Sequence, residues 1–418
     1  MRASKKVCFS LVLLIGASAF AETVQSKHFI IESPLDSRYI NFIQANVEAY
    51  YENMAGHYFD RGWGAKRPLK IYYLVNESDT QELLKKHGID FEGYGKYVAS
   101  EQAVYTHQYL NNGVATGWGT VFHEITHHFV AQNYKNVPSW FNEGLATFFA
   151  EQTRIVKGKL TLGRPNPWRE RELRNMIENG LQIDVKFLTS TTIAQFYSWK
   201  PAYHVDRALF YWLYETGRFD AYLRNAQLKG CSLSVLKETV GKSEIEINQE
   251  ILSFIKANCY PAAYFEDGRI AGNLEQKTKL FEKALQIKPD YQPAILELAR
   301  CSYNNNEYEK SRAALKPILD DLQSIQHRES LCIISDSFYH EKNYAAALEY
   351  YQKAWEYSDY DEYKYVLAYW IANCHHNLNN YEMAKQWYQQ FLDLNWEPTR
   401  HADWVSQAKS YEQNKTKS

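Results

Sequence analysis

The residues in this sequence best able to do chemistry are two histidines four positions apart with a glutamate between them, His123-Glu124-Ile125-Thr126-His127. On a helix, positions i and i+4 share a face. Both imidazoles can therefore reach one Zn²⁺, with Glu124 beside the open coordination position. The flanking Val121-Phe122 and Phe129-Val130 predict a mostly buried helix. Buried histidines and a buried carboxylate need partners, and a metal supplies them. The competing reading is a hydrogen-bonded histidine pair in a helical core. Two imidazoles leave a catalytic zinc short of a third protein ligand. Glu143 lies 16 residues after His127, past a turn at Val137-Pro138, within Pro138-Ser-Trp-Phe-Asn-Glu143-Gly-Leu-Ala146. That interval lets the chain finish one helix, reverse and return on a second. A His₂Glu set with a vacancy for water is a known catalytic zinc sphere. His128 stands about 100° around the helix from His127 and reads as a supporting or surface residue. His107 has no partner in sequence and reads as structural.

The elements that must hold these side chains follow from periodicity. Helices are expected over 119–133 and 139–154, split by Val137-Pro138. Upstream, residues 28–31 and Leu69–Val75 read as strands, and Ser37–Tyr58 carries helical periodicity. Ser78 is a candidate N-cap for a helix ending near His87-Gly88. Lys96–Ser100 and Ala103–Gln108 suggest a hairpin or an edge strand, ended by the Asn111-Asn112-Gly113 turn. Downstream helices are expected at 191–198, 202–217, 219–228 and 243–257.

After Pro261 the texture changes. Leu274, Tyr308, Tyr344 and Tyr381 begin similar stretches, spaced 34–37 residues apart. Three residues on come Lys277, Ser311, Ala347 and Ala384, and seven on come Phe281, Leu315, Tyr351 and Tyr388. This large-small alternation suits helix pairs nested one against the next, and the period resembles the tetratricopeptide repeat over residues 273 to about 397.

Composition narrows the function classes. Charged residues are 23% and hydrophobic ones 45%, which excludes a disordered or collagen-like chain. A formal net charge of -2 gives no reason to expect a nucleic-acid surface, and no nucleic-acid partner is expected. Arg2, Lys5 and Lys6, the apolar run Val7–Ala17 and the small-x-small Ala19-Phe20-Ala21 read as a secretory signal peptide cleaved after Ala21. No integral membrane segment is expected after cleavage, so the mature chain is expected to be periplasmic or secreted. Five of the six cysteines remain, and Cys231 and Cys259 flank a helical segment that a bridge can close in an oxidising compartment. The competing reading makes all five small buried hydrophobes.

The His-Glu-x-x-His segment followed by Trp140-Phe-Asn-Glu-Gly-Leu-Ala146 resembles the gluzincin metallopeptidases, the thermolysin- and aminopeptidase-like clan. It is most similar to bacterial peptidase MA-like domains, which are often fused to tetratricopeptide repeats. The order of strands and helices is similar too, over about residues 27–257. The resemblance implies an α+β gluzincin-like metallopeptidase domain followed by an all-α tetratricopeptide-repeat solenoid. The expected layout is a signal peptide at 1–21, a zinc peptidase domain at 22–262, repeats at 263–400 and a disordered tail at 401–418. It further implies zinc held by His123, His127 and Glu143, with Glu124 as general base. A Tyr or His of the C-terminal lobe serves the oxyanion in that clan. Tyr203, shortly before Arg207-Ala208-Leu209-Phe210, is the first candidate, with His204 and Tyr197 as alternatives. An extended substrate is expected antiparallel to an edge strand at 101–107. The expected partners are a peptide or protein substrate and a protein partner on the repeat surface. No Gly-x-Met-Glu-Asn motif of aminopeptidases is present, which favours an endopeptidase or a specialised hydrolase over an aminopeptidase. A reading from another class is an inert envelope scaffold that acts through its repeats.

Overall fold

The computed structural model describes residues 22–35, 37–62, 66–91, 93–107, 110–111, 114–115, 118–150, 153–156, 158–162, 165–320, 326–358, 361–394 and 401–413. The expected signal peptide, and Asn112-Gly113 of the expected turn, lie outside the described residues. The described chain is mostly helical with a small sheet. In order it forms β1 (Glu22–Gln25), β2 (Phe29–Ser33), α1 (Ser37–Met54), β3 (Leu69–Leu74), α2 (Glu77–Lys86), β4 (Gly95–Val98) and β5 (Ala103–His107). The short strands β6 (Leu110–Asn111) and β7 (Val114–Ala115) precede α3 (Trp118–Asn133) and α4 (Ser139–Ala150), and a hairpin of β8 (Arg154–Val156) and β9 (Lys159–Thr161) follows. Then come α5 (Pro167–Glu178), α6 (Val185–Ser190), α7 (Ile193–Ser198), α8 (Ala202–Glu215), α9 (Phe219–Lys229), α10 (Leu233–Val240) and α11 (Glu244–Phe254). A π-helical turn at Ile255–Cys259 leads into α12 (Tyr260–Ile270). The rest is α13 (Leu274–Ile287), α14 (Gln292–Asn304), α15 (Tyr308–Leu319), α16 (His327–His340), α17 (Tyr344–Glu356), α18 (Asp361–Asn377), α19 (Tyr381–Leu394) and α20 (Ala402–Gln413).

Two compact units divide the chain, Met1–Gly163 with Leu213–Val240, and Arg164–Trp212 with Gly241–Ser418. The first unit is built on a sheet ordered β1-β2-β3-β5-β4, with β2, β3 and β5 parallel and the outer strands antiparallel to their neighbours. Residues 101–107 therefore do not form its edge. β5 is interior and fully buried, because its Ala-Val-Tyr-Thr-His run is covered on both faces, and the edge is β4. One cross-strand row runs Ile31, Ile71, Val104, Tyr97. Tyr97 thus shares the face on which α1 and α3 pack, and Leu84 of α2 meets Tyr105 and Val98 on the other. Helix α1 buries Ile40, Ile43, Val47, Tyr50 and Met54, a 3.6-residue stripe. Tyr50 stacks on Phe122 and shares a 2.7 Å hydrogen bond with Thr126 of α3. The N-cap of α2 is Asn76, not Ser78. The Asn76 carboxamide accepts from the Asp79 N–H at 3.0 Å, leaving Glu77 and Asp79 in the first turn where acids suit the helix dipole. Residue 154, expected to close the second helix, instead begins strand β8.

In the second unit the offsets read from the sequence are the buried layers of a helical stack. Phe281, Leu315, Tyr351 and Tyr388 each sit in a successive cluster, joined by Ala284, Ile318, Ala354 and Phe391. The turns recur as well. Asn306, Lys342 and Asn379 all take left-handed φ, from 60° to 61°, at the ends of α14, α16 and α18. Asparagine adopts that conformation at lower cost than lysine. Lys342→Asn is expected to raise stability by about 0.5–1 kcal/mol, read from denaturant melts of the full chain. An unchanged or lower midpoint would mean that this turn carries no strain.

The domain boundary expected near Pro261 is not where the units part. Pro261 occupies the first turn of α12, where a missing N–H costs nothing, so it starts a helix rather than a linker. Helix α12 is tied backwards to α5 through Asp267, which pairs with Arg171 Nε and Arg174 Nη1 at 2.7 Å each. The tail expected to be disordered from residue 401 is helical in its described part. α20 stacks Trp404 on Tyr369 with centroids 4.2 Å apart, and Gln407 Nε2 donates to Tyr388 Oη at 2.8 Å. It closes the end of the repeat stack, as terminal capping helices do. All five described cysteines are free. Burial pushes the Cys231 thiol up to about 12 and raises the Cys259 thiol well above its ordinary value, and Cys259 is fully buried, as in the buried-hydrophobe reading. Among the described residues no helix is long and apolar enough to cross a membrane.

Candidate metal centre

Helix α3 carries His123 and His127 on one face, with ring centroids 4.7 Å apart and planes at 88°. The chain turns through Asn136, at a left-handed φ of 50°, and α4 begins directly after Pro138. Helix α4 is apolar on nearly all sides, with Trp140, Phe141, Leu145, Phe148 and Phe149 in the core. Glu143 is the one acid among them, and its burial in such a helix needs a reason. The turn is braced by Tyr134, which packs on Phe141 at 5.0 Å, and by Asn133, whose Nδ2 donates to the Arg61 carbonyl at 2.6 Å.

The reason for Glu143 lies across from it. His123 Nε2 and His127 Nε2 stand 3.3 and 3.7 Å from the same oxygen, Glu143 Oε2. His123, His127 and Glu143 together offer three ligand atoms all within 4.8 Å of one another. Four ligands placed tetrahedrally about a zinc at 2.0–2.1 Å would lie about 3.3 Å from each other. A charge-assisted hydrogen bond would be shorter, at about 2.7–2.9 Å. The donor set thus fits a divalent metal of borderline softness. Burial, then the neighbouring His123, lowers the His127 pKa against the opposing pull of Glu143, Glu124 and Asn142. A neutral imidazole is the form that offers a lone pair.

Glu124 is buried and points elsewhere. Its Oε2 accepts the Tyr97 backbone N–H at 2.6 Å, from edge strand β4. Glu124 is not among the three converging donors. His128 is buried, not a surface residue, and shares a 2.6 Å hydrogen bond with Tyr97 Oη. Burial pushes its pKa down to about 4. His107 is structural as expected, buried at the end of β5, 3.2 Å from Thr80 Oγ1.

Tyr203, Tyr197 and His204 belong to the second unit. Tyr203 is half-buried against the rings of Phe196 and Tyr197, with the Arg169 guanidinium 5.8 Å from its centroid. His204 is buried beside Trp168 at 6.0 Å. Sequence reasoning missed Tyr97 altogether. Its part is played by a backbone amide and a phenol whose partners, Glu124 and His128, lie 27 and 31 residues on, a pairing no local sequence pattern marks.

Comparison with known proteins bears on both parts. Residues 118–230, which include α3 and α4, match the family described as "Protein of unknown function (DUF1570)". Residues 270–328 and 366–395 match tetratricopeptide repeat families, so this helical region is of a kind that points to protein–protein interaction. No curated protein matches the chain. Among solved structures it is similar to one described as "Functional Characterization of Pseudomonas Aeruginosa pilF", at 17% identity and a TM-score of 0.31, covering 47% of this chain and 91% of that one.

Proposed function

We propose that this chain is an exported zinc-dependent peptidase, more an endopeptidase than an aminopeptidase. Its metal is held by His123, His127 and Glu143, and its repeats recruit a protein substrate or partner. The observation that carries the reading is the convergence of those three donors beside a buried glutamate that does not join them. When bound, zinc supplies a Lewis acid toward a peptide carbonyl and raises the acidity of a water. Glu124 takes the proton of the attacking water and returns it to the departing amine. Its Oε2 is engaged by the Tyr97 N–H, so Oε1 carries the proton. An extended peptide adds along the outer edge of β4 through backbone groups other than the Tyr97 N–H, which Glu124 holds. Such pairing reads backbone more than side chains and implies modest sequence selectivity.

Metal analysis of the purified full-length protein, followed by digestion of an unbiased peptide library, tests this. About one zinc per chain with internal cleavage supports it. A chain that neither binds zinc nor cleaves any peptide is the inert scaffold instead. The resemblance also gives Tyr203 the oxyanion role. Tyr203→Phe is then expected to lower kcat by about 10²–10³ with unchanged metal content. An unchanged rate in this variant removes Tyr203 from the mechanism.

A further inference from the structure

We propose that Tyr97 is a positioning residue that clamps the general base, with His128 as its anchor and Gly95 as the residue that lets the clamp close. The inference rests on the peptidase reading for its catalytic consequence, but its physical content does not.

Thr120, Glu124 and His128 recur four residues apart, so they form a single row along α3. Strand β4 runs beside that row. A Cβ added at Gly95 would come within 2.5 Å of Thr120 Cγ2 and 3.2 Å of Glu124 Cγ, so only glycine allows this approach. Two residues on, Tyr97 meets the same row twice. Its N–H donates to Glu124 Oε2 at 2.6 Å, and its phenol bonds His128 Nδ1 at 2.6 Å. In an antiparallel ladder alternate residues turn their amides outward, and β4 is an edge. The Tyr97 amide is therefore an edge donor captured by a side chain rather than by a strand. A carboxylate held by one amide can still swing with the strand. The phenol–imidazole bond removes that freedom by pinning the strand to α3 one turn past Glu124. His123 and His127 lie on the neighbouring face of the same helix. One rigid helix thus carries both ligands and, through Tyr97, fixes the base against them. Small displacements of a reacting group are costly, on the order of 10²-fold for about 1 Å.

The test has two arms on the full-length chain. Without metal, amide hydrogen exchange is measured at Tyr97. Slow exchange is expected in the natural protein, at least tenfold faster exchange in Glu124→Ala, and intermediate exchange in Tyr97→Phe and His128→Phe. With zinc, Tyr97→Phe and His128→Phe are each expected to lower kcat about tenfold with KM and metal content unchanged. The double variant should be no worse than either single one, and Tyr97→Phe should cost nothing further in a Glu124→Gln background. Gly95→Ala should show the same kcat loss, partly restored by Thr120→Ser, which removes the methyl it strikes. Exchange at Tyr97 that ignores Glu124, or additive losses shared between kcat and KM, overturns the clamp. A coupled amide in a protein that hydrolyses nothing upholds the clamp and overturns the peptidase reading instead.

Discussion

Glu124→Gln is expected to retain about one equivalent of zinc and to lose peptide hydrolysis by roughly 10²–10⁴, the range a positioned acid–base group supplies. Glutamine keeps the size of the side chain and a carbonyl oxygen that can accept the Tyr97 N–H, so the local fold is undisturbed. It cannot take a proton from water. His127→Ala makes the opposite change. It deletes one of two imidazoles facing Glu143 Oε2, leaves the buried carboxylate without that partner, and should release the metal. Zinc should raise the melting temperature of the natural protein and of Glu124→Gln but not of His127→Ala. A ligand at about a hundred times its Kd stabilises a fold by about 2.7 kcal/mol. Metal content is read by elemental analysis and activity by a quenched-fluorescence peptide. If Glu124→Gln also loses its zinc, Glu124 is a ligand and the division of roles is wrong.

What the sequence made legible was local. The i, i+4 histidines, the helix break at Val137-Pro138 and the returning acid depend on helix periodicity and a turn signal, and they converge as expected. The repeat offsets were legible for the same reason, since a layer every 34–37 residues writes itself into a single chain. What stayed hidden depended on pairing between distant segments. Strand order is one case: Lys96–Ser100 and Ala103–Gln108 look alike in sequence, and only the parallel neighbour β3 makes the second interior and the first the edge. The role of Tyr97 is another, because a backbone amide has no residue type to betray it. Pro261 misled for a third reason. A proline marks a linker or the first turn of a helix equally well, and the tie that decides between them comes from Arg171 and Arg174, some ninety residues earlier.

A separate ion pair, between α5 and α8, is fully buried, and its disruption should be costly. Arg207 of α8 and Glu170 of α5 are each 2% exposed, and Arg207 Nη1 lies 2.5 Å from Glu170 Oε1. Burial, and after it the neighbouring Glu170, raises the pKa of the Cys259 thiol in the π-helical turn before α12. Removing one partner of such a pair strands the other charge away from water, which costs about 3–5 kcal/mol. Arg207→Met is therefore expected to lower stability by about that amount, and Glu170→Leu by a similar one. The double variant should recover most of the loss, because two apolar side chains leave no charge to desolvate. Calorimetry and denaturant unfolding of the full chain, followed in the tryptophan fluorescence of the repeats, decide what the pair holds. Trp355, Trp370, Trp387 and Trp404 pack in the last layers of the stack, far along the chain from Arg207. If their transition moves with Arg207→Met, the helices before Pro261 and the repeats unfold as one cooperative unit. If it stays in place while an earlier transition falls, the repeats are stable by themselves and the division near Pro261 is real in energy, though not in packing.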